Sequence, residues 1–174
     1  MQDVLIVVDM QNDFIDGALG TREALAVLPA VEAKIRGFSG AVLFTRDTHR
    51  EDYLETQEGG LLPVPHCAKG TPGWSIHPRL ESLRVLPALD KPSVGSLELA
   101  EKLREMDRAE PVHSVTLVGL CTDICVISNA LIAKAALPEA RVIVDAACCA
   151  GATPEGHRNA LQAMKACQVI IQND

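Results

Sequence analysis

Short apolar runs alternate with longer helical patterns along the whole chain. The runs are rich in Val, Ile and Leu and show little polar alternation, which is typical of strands that are buried on both faces. They occupy residues 3–9, 40–47, 84–91, 113–119, 140–146 and 167–172. The helical patterns occupy residues 22–36, 96–108, 123–136 and 154–166. This alternation predicts one three-layer α/β/α domain over residues 1–174, with a mostly parallel, doubly wound sheet.

The charge and hydropathy of the chain argue against nucleic-acid and membrane partners. The 174 residues carry a formal net charge of −7 and no basic stripe, so we do not expect a nucleic-acid partner. No stretch reaches the ~20 consecutive apolar residues of a membrane-spanning helix, so no membrane partner is expected. The start, MQDVLIVVDMQNDF, has no basic segment and predicts a strand rather than a signal peptide. The six cysteines follow neither disulfide-scaffold nor zinc-ribbon spacing, which indicates reduced thiols in the cytoplasm.

Chemically versatile residues follow most of the predicted strands, at the edge of the sheet where parallel α/β proteins bind ligands. They are Asp9, Asp47 with His49, Lys91, the segment Leu120–Cys125 and Asp145. The segment 48–79 has no periodicity of its own, and loops of that length inside a compact domain are usually functional. We therefore expect the functional site at this edge of the sheet, next to the long loop.

A carboxylate, a lysine and a cysteine each lie at the end of a different predicted strand. Asp9 could accept the thiol proton of Cys125, and Lys91 could stabilise both charges, which is the arrangement of covalent catalysis. A cysteine in the first turn of a helix also faces the positive end of the helix dipole, so we expect a lowered pKa for Cys125. Residue type leaves other roles open. They are a turn or cap for Asp9, a surface charge for Lys91, and core packing or a redox couple for Cys121 and Cys125.

Four ordered motifs resemble those of a known family. VDMQNDFIDGAL, TRDTH, PHCAKGTPGW and GLCTDICV resemble the isochorismatase-like cysteine hydrolases and, within them, the nicotinamidase-related amidases. The resemblance covers nearly the whole chain. It implies a catalytic triad of Asp9, Lys91 and Cys125, in which the cysteine attacks an amide carbonyl and Asp9 shuttles protons. Ammonia then leaves, and water hydrolyses the thioester.

The same resemblance implies an oxyanion hole and a substrate pocket beside the nucleophile. In the family, a non-proline cis peptide bond directs backbone N–H groups toward the oxyanion, and the matching bond here is Leu120–Cys121. The N–H groups of Cys121 and Cys125 are then the donors, and the thiol of Cys121 is inert. Phe14 matches the position that packs against the substrate ring, and Leu120 is expected to contribute to the substrate pocket.

Asp47, His49 and His66 form a candidate metal site. Asp47 and His49 are two residues apart at a strand end, and the long loop can bring His66 to them. One carboxylate and two imidazoles suit Zn²⁺, Fe²⁺ or Mn²⁺, and zinc is the ion we expect. The resemblance implies a metal beside the triad and a further loop carboxylate, with Glu58 the first candidate and Glu55 the second. The alternative is an Asp–His pair that is hydrogen-bonded without metal.

The chain departs from the nicotinamidases in the expected ring pocket. Pro63 stands where they often carry tryptophan, and Val94 and Leu97 follow Lys91 without the usual aromatic residue. We expect hydrolysis of a small primary amide, with nicotinamide the first choice. The alternatives are another small amide or carbamoyl compound, hydrolysed without a bound metal, and a catalytically idle binding module. Homo-oligomers are usual in the family, so a dimer or tetramer is expected.

Several other residues are assigned no chemistry. Cys148 and Cys149 are expected to pack in the core, because a disulfide between neighbouring cysteines is strained. Trp74 is expected to line the pocket or an interface between subunits. The histidines without convergent partners in the sequence are interpreted as structural or surface residues; they are His77, His113 and His157.

Overall fold

A parallel sheet of six strands forms the centre of the protein. The structure is a computed structural model and describes residues 1–174. The strands are β1 (Gln2–Val8), β2 (Ala41–Asp47), β3 (Leu89–Lys91), β4 (Val112–Leu120), β5 (Arg141–Ala150) and β6 (Ile170–Gln172). They lie in the order β3-β2-β1-β4-β5-β6, so the direction of sheet growth reverses between β1 and β4. In doubly wound sheets the ligand site lies at that reversal, outside the carboxyl ends of the strands.

Helices cover both faces of the sheet. They are α1 (Asn12–Ile15), α2 (Arg22–Gly37), α3 (Gln57–Leu61), α4 (Pro78–Glu81), α5 (Leu97–Ala109), α6 (Ile127–Ala136) and α7 (Pro154–Ala166). The apolar side of α2 packs on one face, whereas α5, α6 and α7 pack on the other. The predicted three-layer α/β/α fold with a parallel, doubly wound sheet is therefore confirmed. None of the helices combines the length and the apolar composition that crossing a bilayer requires.

Three of the longer helices begin at a hydroxyl residue. The side chains of Thr21, Ser96 and Thr153 each accept the backbone N–H three residues further on. Such caps satisfy one of the free N–H groups of the first turn, which stabilises the start of the helix. The starts of α5 and α7 accordingly lie within one residue of the positions that their sequence patterns predict.

The central strand β1 shows why the apolar runs lack alternation. The side chains of Val4, Ile6 and Val8 pack toward α5, α6 and α7, whereas those of Leu5 and Val7 pack toward α2. All five are completely buried. A strand covered on both faces has no polar side, so its sequence is a continuous apolar run.

The edge of the sheet beside the long loop differs from the prediction. Strand β3 contains only Leu89–Lys91 rather than residues 84–91, because Val85 is 91% exposed and Pro87 offers no backbone N–H for a strand ladder. The segment 48–79 is also less irregular than expected, since it contains a 3₁₀ turn and part or all of two short helices. Each of these elements is shorter than two helical turns, so no periodicity could reveal it.

Two elements next to the central strands also have different bounds. The predicted helix 123–136 begins as a π-helical turn, Thr122–Val126, and continues as α6. Strand β5 extends to Ala150, so Cys148 and Cys149 lie inside the strand rather than after it. Both are buried free thiols, in agreement with the packing role expected of them.

Gly119 allows β4 to approach β1 closely just before the carboxyl end of the sheet. Its φ is +118°, which L side chains rarely adopt, and a Cβ here would lie 2.1 Å from the carbonyl oxygen of Val8. We expect Gly119→Ala to lower the free energy of unfolding by at least about 2 kcal/mol, measured by urea denaturation. Gly60→Ala is the matched control, because nothing lies within 4 Å of its Cβ position. Equal unfolding midpoints for the two variants would contradict this account.

Candidate active site

Asp9, Lys91 and Cys125 meet at the carboxyl edge of the sheet. Asp9 follows β1, Lys91 ends β3, and Cys125 lies in the π-helical turn after β4. The Nζ atom of Lys91 is 2.7 Å from Oδ2 of Asp9 and 3.4 Å from Sγ of Cys125. All three side chains are buried, and those of Asp9 and Lys91 have no exposed surface. The fold thus brings together the three residues that the strand ends predicted.

The two oxygens of the Asp9 carboxylate have different partners. Its backbone lies in the left-handed region with φ +47°, which turns the chain sharply out of β1. The hydroxyl of Thr45 donates to Oδ1 at 2.7 Å. The other oxygen, Oδ2, forms an ion pair with the Lys91 ammonium at 2.7 Å and accepts a hydrogen bond from no other side chain. Oδ2 can therefore accept a proton.

Burial and charge determine the protonation of the three residues. Desolvation raises the pKa of Asp9, although the Lys91 ammonium opposes it. Burial also raises the pKa of Cys125 well above its ordinary value, and the Asp9 carboxylate adds to this. The expected lowering of the Cys125 pKa is wrong, because desolvation outweighs the helix dipole and the Lys91 charge. Burial disfavours a charged Lys91, but its anionic neighbours, Asp9 first, raise its pKa and keep it protonated.

The segment Cys121–Val126, called the β4–α6 turn below, places backbone N–H groups beside the cysteine. The Leu120–Cys121 peptide bond is cis, as the resemblance implied. The N–H groups of Ile124 and Val126 both donate to the carbonyl of Cys121, at 3.1 and 3.0 Å. The N–H of Cys121 itself donates to no backbone acceptor. A donor without a partner at this position can bind an oxygen of a ligand in the site.

A second cluster is joined to the first by a hydrogen bond from Lys91 to Asp47. Donor atoms of Asp47, His49, Glu58 and His66 all lie within 4.8 Å of one another. Oδ1 of Asp47 accepts a hydrogen bond from Lys91 at 3.3 Å, while Oδ2 lies 2.8 Å from Nε2 of His49 and 3.4 Å from Nε2 of His66. Burial alone would raise the pKa of Asp47, but the two imidazoles and Lys91 hold it well below its usual range. The cluster therefore contains a stable anion.

The donor set of this cluster fits a divalent metal ion. Two imidazoles and two carboxylates form a ligand set that suits zinc, iron or manganese. The ring of His66 is oriented by the hydrogen bond between its Nδ1 and the carbonyl oxygen of Val64 at 2.8 Å. This leaves Nε2 directed to the cluster. A metal-binding histidine usually has such an outer hydrogen-bond partner on its other ring nitrogen. Of the two loop carboxylates considered, Glu58 joins the cluster and Glu55 does not.

Members of both groups line one cavity of about 260 Å³ with mostly apolar walls. Its apolar wall includes Phe14, Leu19, Leu62, Val94 and Ile124. Phe14 is the one aromatic side chain among the lining residues apart from His66, and their rings meet edge to face at 5.5 Å. The cavity is thus shaped for a small, partly apolar molecule, with Cys125 and three members of the second cluster, Asp47, Glu58 and His66, exposed to it.

Three side chains that the sequence singled out lie outside the cavity. Leu120 is completely buried in the core, so its predicted role in the substrate pocket is wrong; only its backbone contributes, through the cis bond. The ring of Trp74 stacks under the guanidinium of Arg46 at 3.8 Å and does not line the pocket. Asp145 pairs with Lys34 at 2.7 Å and lies within β5.

Two buried amide side chains that hold the site together were missed from the sequence. Gln11 donates to the carbonyl of Asp47 and accepts its N–H, which fixes the end of β2. Asn129 donates to the carbonyls of Cys125 and Val94 and so joins the cysteine to the segment after Lys91. Gln11 lies inside the motif VDMQNDF, which could have signalled it. Asn129 lies in the middle of a helix, where no local pattern marks it.

The sequence matches the family described as the isochorismatase domain over residues 3–173. The chain belongs to the isochorismatase family. It is 29% identical over 181 residues to the nicotinamidase/pyrazinamidase of Mycobacterium tuberculosis, with 96% of each chain covered. It is 32% identical over 182 residues to an isochorismatase family protein of Bacillus subtilis, covering 92% of this chain and 93% of that protein. The family match includes every residue of the two clusters described above.

A solved structure has the same fold. The pyrazinamidase of Pyrococcus horikoshii, in complex with zinc, superposes with a TM-score of 0.80 and 30% sequence identity. The superposition covers 100% of both chains. No large insertion or missing element therefore separates the two folds.

Proposed function

We propose that the protein is an amidohydrolase that cleaves a small primary amide through a thioester at Cys125. Nicotinamide is the preferred candidate substrate, and its hydrolysis gives nicotinate and ammonia. The observation that carries this proposal is the contact between Cys125 and Lys91, which is also paired with Oδ2 of Asp9, at a small apolar cavity. The activities named for two relatives, nicotinamidase and pyrazinamidase, support a small primary amide as substrate.

The first half-reaction forms the thioester. The thiol proton of Cys125 passes to Oδ2 of Asp9, and the sulfur bonds to the carbonyl carbon of the amide. The carbonyl oxygen becomes an oxyanion and accepts hydrogen bonds from the N–H groups of Cys121 and Cys125. Asp9 then returns the proton to the nitrogen, the C–N bond breaks, and ammonia leaves. Lys91 stays charged and stabilises the thiolate and the carboxylate in turn.

The second half-reaction releases the acid. A water molecule attacks the thioester carbonyl and gives a proton to Asp9, and the same two N–H groups stabilise the new oxyanion. The C–S bond then breaks, and the sulfur of Cys125 recovers a proton from Asp9. The raised pKa of the Asp9 carboxyl suits this repeated acceptance and return of a proton, because it is a stronger base than an exposed carboxylate.

We propose Asp47, His49, Glu58 and His66 as the residues that hold a divalent metal, with Zn²⁺ preferred over Fe²⁺ or Mn²⁺. A bound ion of this kind supplies a Lewis acid for an electron-rich atom of the substrate. The hydrogen bond from Lys91 to Asp47 fixes the cluster relative to Cys125. Phe14 forms the wall against which a planar substrate ring packs.

Zinc binding by this cluster can be measured directly. We expect about one zinc ion per chain after incubation with zinc and gel filtration, and at least about a 100-fold weaker affinity in His66→Ala, which removes a ligand. Elemental analysis and calorimetric titration are the measurements. His77→Ala is the matched control, because His77 caps α4 and is not a member of the cluster. Equal zinc affinity in the two variants would contradict the assigned ligand set.

The substrate proposal is tested by ammonia release from nicotinamide, with pyrazinamide and carbamoyl compounds assayed in parallel. We expect turnover of nicotinamide. The aliphatic wall formed by Leu62, Val94 and Ile124 makes the parallel substrates necessary, because it offers little aromatic surface to a ring. Release of ammonia from a carbamoyl compound alone would move the proposal to that substrate class. No release from any small amide would contradict the proposed hydrolase.

A further inference from the structure

The outer side of the β4–α6 turn is bound to the start of α7. Thr122 is completely buried, and its hydroxyl lies 2.7 Å from Nδ1 of His157. The next residue, Asp123, accepts the backbone N–H of Ala152 through Oδ1 at 2.9 Å. Both contacts involve residues that lie between Cys121 and Cys125 in the chain. The segment that carries the two proposed oxyanion donors is therefore attached to His157 and to the backbone of Ala152.

A glycine lies where α7 approaches the turn. A Cβ at Gly156 would lie 2.1 Å from Oδ2 of Asp123, so a larger residue here would displace that carboxylate. His157 follows directly, and its ring is half-buried. His157 does not line the cavity, so its ring cannot contact a substrate bound there.

The hydrogen bond between Thr122 and His157 suits a neutral imidazole. Burial lowers the pKa of His157, so the ring is uncharged near neutral pH and one of its nitrogens can accept a hydroxyl proton. The charged groups near it are Asp123 from the turn, Asp174 from the C-terminus and Arg158 from its own helix. Neutral His157 is therefore the hydrogen-bond partner of the buried Thr122 hydroxyl.

We propose that His157 and Thr122 are positioning residues for amide hydrolysis. Their hydrogen bond keeps the β4–α6 turn in the arrangement in which the N–H groups of Cys121 and Cys125 face one oxyanion. This inference rests on the proposed function. Because oxyanion donors act mainly on the transition state, a loosened turn should lower kcat and leave substrate affinity nearly unchanged.

The test is a double-mutant cycle on ammonia release. We expect His157→Ala and Thr122→Val each to lower kcat about 10-fold, with KM within about 2-fold of wild type. The double variant should lose no more than either single variant, because both remove the same bond. His157→Asn should recover most of kcat, since its amide can reach the hydroxyl from a similar position. If the two residues had a merely structural role, their substitution would lower the unfolding midpoint without lowering kcat selectively over KM.

His113→Ala is the matched control, since His113 bonds Asp3 at the opposite end of β4. It should keep wild-type kcat. Wild-type kcat in both test variants, or losses that multiply in the double variant, would overturn the inference. Should Thr122→Val fail to fold, the comparison of His157→Ala with His157→Asn decides alone, and equal kcat in these two overturns the inference. Absence of turnover by the wild-type enzyme contradicts the proposed function instead.

Discussion

Replacement of Cys125 by alanine is expected to abolish ammonia release, with kcat lowered by about 10⁴-fold or more. The sulfur lies at the cavity, contacts Nζ of Lys91, and is the atom that forms the covalent bond in the proposed mechanism. Alanine removes the nucleophile while leaving the buried turn and its backbone N–H groups in place. Steady-state ammonia release, measured at several enzyme concentrations, gives the residual rate.

Cys148→Ala is the control for this substitution, because Cys148 is another buried free thiol but lies in β5, away from the cavity. It should keep kcat within about 2-fold, although it loses some stability through the removed sulfur. Turnover retained in a purified Cys125→Ala variant would rule out covalent catalysis by this cysteine. Both variants should be shown to unfold cooperatively before their rates are compared.

Replacement of Asp9 by asparagine has the second largest expected effect, a fall in kcat of about 10³-fold or more. The thiol of Cys125 is protonated at rest because burial raises its pKa, so it depends on Oδ2 of Asp9 to remove the proton. Asparagine has nearly the same shape but cannot accept and return that proton. Alkylation of Cys125 by iodoacetamide should slow in parallel, measured in a Cys167→Ser background that lacks the exposed thiol.

Asp145→Asn separates the loss of a base from the loss of a buried charge. Asp145 is a buried aspartate paired with a lysine, as Asp9 is, but its partner is Lys34 and it lies outside the cavity. We expect it to lose stability with kcat nearly unchanged. If Asp9→Asn and Asp145→Asn reduced kcat equally, or if Asp9→Asn alkylated at the wild-type rate, Asp9 would not be the proton acceptor.

Much of the site could be predicted because its residues lie at the ends of recognisable strands. Asp9 and Asp47 each follow or end a continuous apolar run, and parallel strands bring such ends to one edge of the sheet. Prediction of the cluster of Asp47, His49, Glu58 and His66 also depended on the family resemblance. Two of its members, His66 and Glu58, lie in a segment without regular periodicity. The cis bond before Cys121 was likewise implied by the family pattern, and the structure has it.

The features that could not be predicted depend on tertiary packing. The pKa of Cys125 follows from desolvation, which sequence position in a helix does not reveal. The side chain of Leu120 is expected in the substrate pocket from the sequence, yet it packs in the core. His157 lies 35 residues from its partner Thr122, and no local pattern joins them. The oligomeric state and the cytoplasmic location stay predictions.

The existence of an acyl-enzyme at Cys125 is tested most directly by partitioning with hydroxylamine. Nicotinamide and methyl nicotinate differ only in the leaving group, so a shared thioester must divide between water and hydroxylamine in the same ratio. At a fixed hydroxylamine concentration we expect the same ratio of hydroxamate to nicotinate from both substrates, and neither product from Cys125→Ala. Different ratios from the two substrates, or nicotinate formed from nicotinamide without any hydroxamate, would contradict the proposed thioester.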